Sequence, residues 1–290
     1  MGGLGNQLFQ YAAGRSLAER HATSLKFDLT LLEDKDPIAN RVSRNFELDA
    51  YRLNATLASR EEIRKYNPAP SGILNRARIR MRKALSPLRV YIQPSHGFDS
   101  MFDTIPDEYC LTGSFQSEKY FSAVSGLIRK ELTLKKEPDP KSVKLLDEIR
   151  SINSCAMHIR RGDYITNPLY SKLLGTKEAE YFFKGLSVIR ENEKPDKIFI
   201  FSDDINWCRV NLKFDIPVTF VDAENASLNH HIQLLLMSNC KHFIIPNSTY
   251  GWWGAWLSSR AGKMVVAPEN WFAERGREEK DIIPDSWLRI

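Results

Sequence analysis

The stretch from Ser154 to Tyr164 opens as an apolar run, Cys155-Ala156-Met157, and breaks at His158 into an imidazole, two guanidiniums, a glycine and a carboxylate: His158, Arg160, Arg161, Gly162, Asp163. Such a run reads as a buried strand. In open α/β sheets ligands bind beyond the carboxyl ends of strands, and adjacent arginines there offer planar forks that take phosphate oxygens two at a time. The chemistry this predicts is capture of a diphosphate. The same residues admit a second reading, a solvated strand end closed by an internal pair between Asp163 and an arginine.

Two further apolar runs end in polar clusters. Phe199-Ile200-Phe201 runs into Ser202-Asp203-Asp204. A carboxylate there can accept the paired N–H groups of a guanine edge, which adenine does not offer; capping of the following helix is the alternative, and Asp204 is the better candidate for it. Phe243-Ile244-Ile245-Pro246 gives way to Asn247-Ser248-Thr249, where hydroxyls and backbone N–H groups at a helix start could hold more phosphate oxygens. The tryptophans just beyond, Trp252, Trp253 and Trp256, invite a sugar-stacking role, but at least two of them read as core. Near the start, Gly2-Gly3-Leu4-Gly5-Asn6-Gln7 feeds a helical pattern, a weak anion- or hydroxyl-binding signal by itself. Asp34-Lys35-Asp36 is the only Asp-x-Asp in a loop-like setting, and a poor metal candidate because no good strand leads into it.

The elements that must position these groups alternate regularly in the second half. Strands are predicted at 154–159, 197–202, 218–222, 243–246 and 264–267, with helices at 141–151, 179–191, 205–212, 228–240 and 250–259. That order predicts a parallel sheet with helices on both faces. In the first half a helix is expected to about His21, strands at 24–29 and 109–113, and a helix from Glu118 to Leu132. The breaker Lys135-Lys136-Glu137-Pro138-Asp139-Pro140 is the expected linker between domains 1–138 and 139–290. Between Asn67 and Phe98 there is no acidic residue, while Arg76, Arg78, Arg80, Arg82, Lys83 and Arg89 fall within it. This reads as a basic amphipathic helix, either a solvated surface or a contact for a membrane or a lipid-linked glycan.

With 290 residues, 42% of them hydrophobic, the chain can bury a full core. Its net charge of +5 favours anionic partners without specifying one. No apolar run approaches the roughly 18 residues of a membrane span, and no signal peptide is evident, so the expected location is cytoplasmic. Cys110, Cys155, Cys208 and Cys240 lack any C-x-x-C spacing and read as reduced thiols. Nucleic-acid binding is disfavoured by the small overall charge.

Taken together, Gly2 to Tyr11, His158 to Tyr164, Phe201 to Asp204 and Asn247 to Leu257 resemble the motifs of the bacterial α1,2-fucosyltransferases, and more distantly those of the α1,6-fucosyltransferases and protein O-fucosyltransferases. The resemblance implies a GT-B-like fold, two Rossmann-type α/β domains facing a cleft. It implies an inverting transferase that uses GDP-fucose as donor substrate, a galactose-terminated glycan as acceptor, and neither metal nor cofactor. Carried over by residue, Arg160 would hold the donor diphosphate with Arg161 supporting it or the local fold. His158 and Asp203 would contact the guanosine portion, and Ser248 or Thr249 a phosphate. Gly3 and Asn6 would line the cleft from the other domain. Asp163 is the candidate base, or else the carboxylate that orients an arginine. One departure is that no strand precedes Gly2, so residues ahead of Met1 are expected to be missing. The rival readings are a fucosyltransferase of another linkage and a nonenzymatic GDP-sugar or glycan-binding module.

Overall fold

The structure, a computed structural model, describes residues 2–33, 45–66, 89–274, 276 and 279–290. The chain splits into two compact units, Met1–Thr133 and Leu134–Ile290. Asp34 to Asp36 and the arginines from Arg76 to Arg82 lie outside the described residues.

The first unit contains α1 (Leu4–Arg20), β1 (Leu25–Phe27), α2 (Thr30–Glu33), β2 (Ala55–Leu57), α3 (Arg60–Tyr66), β3 (Val90–Ile92), β4 (Cys110–Thr112) and α4 (Ser125–Glu131). β1 pairs with β2 and β3 with β4, both parallel. Its centre is α1, whose Leu8, Phe9, Tyr11, Ala12 and Ala13 are fully buried. Burial extends around the helix to Gln7, Arg15 and Ser16, so α1 lies inside the unit rather than on it. Arg15 is drawn into that interior by Glu131, its Nε 3.1 and 3.2 Å from the two carboxylate oxygens, and the Tyr11 hydroxyl donates to the same carboxylate. Burial, and then the bond to Glu131, push the Tyr11 hydroxyl far up. The expected helix from Glu118 to Leu132 is broken: 3-10 turns at Glu118–Tyr120 and Ser122–Val124 precede α4, because Phe121 leaves the helical region with φ −143° as its ring is buried.

The second unit contains α5 (Pro140–Ser151), β5 (Ser154–Ile159), α6 (Gly162–Thr166), α7 (Pro168–Leu173), α8 (Ala179–Asn192), β6 (Lys197–Ser202), α9 (Ile205–Asn211), β7 (Val218–Phe220), α10 (His230–Ser238), β8 (His242–Ile244), α11 (Thr249–Leu257), β9 (Val265–Ala267) and β10 (Leu288–Arg289). The strands form one sheet in the order β10-β9-β8-β5-β6-β7, parallel throughout. Every residue of β5 is buried, as a central strand covered on both faces must be. Cys155, Met157 and Ile159 join Phe182, Leu186 and Ile189 of α8 in one cluster, whereas His158 meets Gly251 of α11. From β5 the chain builds outward through β6 to β7, then returns to the other side of β5 as β8. The order therefore reverses between β5 and β8, which is where such sheets open a crevice.

Trp252, Trp253 and Trp256 are all core, at 0, 0 and 3% exposure, and Trp252 donates to the Ile282 carbonyl at 2.7 Å. None of the three is placed to stack on a sugar. The four cysteines are free thiols, three of them buried. Among the described residues no helix is long and apolar enough to cross a membrane.

Candidate active site

The crevice is bounded by the ends of β5 and β8, joined where the Tyr164 hydroxyl donates to the Asn247 carbonyl at 3.0 Å. Asn247 is itself pinned, its Nδ2 donating to the Leu174 and Trp271 carbonyls at 2.6 and 2.9 Å. Around this link stand most of the residues singled out in the second unit.

Arg160 is at the centre. Its Nη2 lies 2.6 Å from Asp163 Oδ1 and its Nη1 2.8 Å from Asp203 Oδ2, with the guanidinium carbon 5.6 Å from the Tyr164 ring centre. Two carboxylates on one fork fix its plane and use two of its five N–H donors, leaving three for an incoming anion. Asp203 also accepts from the Arg161 backbone N–H at 2.9 Å, so β6 and the turn after β5 are tied by one side chain. That tie needs a glycine at 162, where a Cβ would come within 2.6 Å of Asp203 Oδ2. The carboxylate expected at the guanosine thus spends both oxygens on the β5 end.

Arg161 is arranged differently. Its guanidinium lies 3.9 Å from the ring centre of Trp207 and within 3.5 and 3.7 Å of Asp204 and Glu178. Asp204 meanwhile caps α9, accepting from the Trp207 N–H at 3.1 Å. Adjacent arginines in the sequence therefore do different things: Arg160 stands at the crevice and Arg161 is folded into the wall beside it.

His158 is 5% exposed, close to the Tyr250 ring at 5.5 Å, and its Nδ1 is buried with no hydrogen-bond partner among the described residues. Burial, then the positive charge of Arg160, push its pKa down to about 3, so the imidazole is neutral at physiological pH. It packs there only because residue 251 is glycine; a Cβ would lie 2.6 Å from Nδ1. Ser248 is the buried N-cap of α11 and Thr249 the helix's first, half-buried residue. The Ser248 side chain makes no cap bond.

In the first unit Gly3 is the N-cap of α1 with extended backbone, φ −71° and ψ −178°, a conformation open to any residue. Gly2, with φ +97°, is the glycine that the turn requires. Asn6, in the first turn of α1, accepts from Gln116 Nε2 at 2.8 Å. Tyr164 closes the His158–Tyr164 motif, but its tie to Asn247 is visible only in the fold; Trp207 lies one turn beyond Asp204, whereas a lone glutamine such as Gln116 carries no signal in the sequence. Among the described residues no three His, Cys, Asp or Glu side chains are grouped to hold a metal ion.

An O-antigen biosynthesis glycosyltransferase, WbnK, of Escherichia coli is 30% identical over all of this chain and 98% of its own length. The α1,2-colitosyltransferase of Escherichia coli is also 30% identical, over all of this chain and 96% of its own length. A galactoside 2-α-L-fucosyltransferase of Caenorhabditis elegans is 28% identical over 61% of this chain and 51% of its own length. The crystal structure of the fucosyltransferase NodZ from Bradyrhizobium is similar over 87% of this chain and 88% of that chain, at 16% identity and a TM-score of 0.47. The profile of glycosyl transferase family 11 matches residues 91–290, which span β3 to β10 and hold every site residue of the second unit, and the chain belongs to that family.

Proposed function

We propose that this glycosyltransferase moves L-fucose from GDP-fucose to the 2-hydroxyl of a terminal galactose, inverting the β-linked donor to an α1,2 product. The observation that carries the reading is Arg160, oriented by two carboxylates at the mouth of the β5–β8 crevice. Departure of GDP concentrates negative charge on the diphosphate, and a fixed cation aimed at it stabilises the transition state more than the ground state. Arg160 supplies that charge without a metal or cofactor. His158 is neutral and offers one N–H to the donor, while Ser248 and Thr249 offer hydroxyls and the first backbone N–H groups of α11. Asp163, already bonded to Arg160, orients it; Asp203 does the same from β6. Arg161 braces the wall. The relatives' names support a galactoside acceptor and an O-antigen setting; our reading adds that the work is done in the cytoplasm, on a lipid-linked glycan at the membrane face.

A second reading concerns the donor sugar, because one of the relatives aligned with the whole chain is a colitosyltransferase. Transfer from GDP-fucose and from GDP-colitose to lactose and N-acetyllactosamine, with EDTA present and linkage read by NMR, decides between them. The first reading expects an α1,2-fucosylated product. Transfer from GDP-colitose alone would replace it, and failure to bind GDP at all would refute both.

A further inference from the structure

The first unit holds a polar pair of its own, Asn6 and Gln116. Gln116 reaches Asn6 across the unit, its Nε2 donating to Asn6 Oδ1 at 2.8 Å. Two carboxamides joined by one such bond keep one NH2 and one carbonyl in reserve, whichever of the pair is taken as donor. That remainder is complementary to a hydroxyl group, which accepts one hydrogen bond and donates another.

Both partners are held in place. On one side, the Asn6 amide lies against Gly2, where a Cβ would come within 2.4 Å of Nδ2; Gly2 is kept there by Gln7, whose Nε2 donates to the Gly2 carbonyl at 2.9 Å. On the other, Gln116 follows Phe115, a buried non-glycine residue at φ +51°. That uncommon backbone is enforced by Gln93, whose Oε1 accepts from both the Ser114 and Phe115 N–H groups at 2.9 Å, and by packing of the Phe115 ring on Tyr120 at 5.2 Å. Gln116 thus follows directly on a strained residue, and Asn6 and Gln116 are both half-exposed.

We propose that Asn6 and Gln116 form a hydroxyl-reading subsite for a pyranose, with Gln116 as a sugar-specificity residue. The proposal rests on the reading of the chain as a sugar transferase. The hydroxyl could belong to the galactoside acceptor or to the transferred deoxysugar. Saturation-transfer NMR on the 290-residue chain with methyl β-D-galactopyranoside and with L-fucose separates these sources. At least one sugar is expected to give a signal that falls fivefold or more in Gln116→Leu. Asn6→Asp keeps the oxygen that Gln116 binds but loses the NH2, so it is expected to show the same fall while retaining the wild-type melting temperature, and it carries the test if Gln116→Leu does not fold. No signal from either sugar in the wild-type protein, or equal signals in wild type and Asn6→Asp, overturns the subsite. Transfer from GDP-fucose, run in parallel, tests the enzymatic reading separately: a sugar signal lost in the variants without any transfer would sink that reading and leave the subsite standing.

Discussion

At the residue scale, the arrangement assigns unlike tasks to groups that look alike in the sequence. Asp163 bonds Arg160 at 2.6 Å, so its carboxylate orients the cation. Asp163→Asn keeps the shape but loses the charge, and it is expected to weaken GDP binding along with turnover; a variant that binds GDP normally yet transfers nothing would make Asp163 the base instead. His158 offers a test by pH. Its folded pKa, about 3, lies below the unfolded value of about 6.5. The unfolded chain therefore takes up a proton that the native chain refuses. Stability from this residue is whole above pH 6.5 and is lost as pH falls toward 3, by about 2 kcal/mol at pH 5. His158→Gln should flatten the fall in denaturation free energy between pH 7 and 5 by that amount. An unchanged slope would mean that the imidazole is protonated in place.

At the element scale, the helices and the sheet are built around close approaches. α11 can lie over His158 only through Gly251. Gly251→Ala is expected to push the ring out of its seat and raise the Kd for GDP about tenfold or more, with little change in unfolding of the sheet; unchanged affinity would show that His158 is not part of the donor site. In the first unit α1 is joined to α4 by Arg15 and Glu131, a buried pair shared with Tyr11. Glu131→Ala leaves the buried Arg15 guanidinium with only the exposed Glu19 as its carboxylate partner and should cost about 3 kcal/mol in a denaturant titration, whereas a loss under 1 kcal/mol would place that pair in water. These tertiary ties explain what could be read in advance. The alternation after residue 140 follows from apolar runs too strong for other packing, so β5, β6 and β8 and their polar ends were legible. The three-residue strands β2 and β3 were not, since short pairs draw their form from neighbours rather than from periodicity. Phe121, which splits the expected helix into turns, is likewise decided by where its ring is buried.

Considered as a whole molecule, the chain consists of two units, and the family match covers the second unit entirely with only part of the first. The order reversal between β5 and β8 gathers residues from 158 to 249 at one crevice. Their proximity was legible because each cluster closes a predicted strand. The division of labour between Arg160 and Arg161 was not, because it depends on Trp207, Glu178 and Asp204 meeting the second guanidinium first. The central claim is that Arg160 holds the donor's diphosphate, and the most direct measurement is a calorimetric titration of GDP into the wild-type protein, Arg160→Ala and Arg161→Lys. Wild type should bind, Arg160→Ala should lose about tenfold or more in affinity and on the order of a hundredfold in turnover, and Arg161→Lys should bind nearly as wild type. Equal affinity for GDP in wild type and Arg160→Ala would contradict the account.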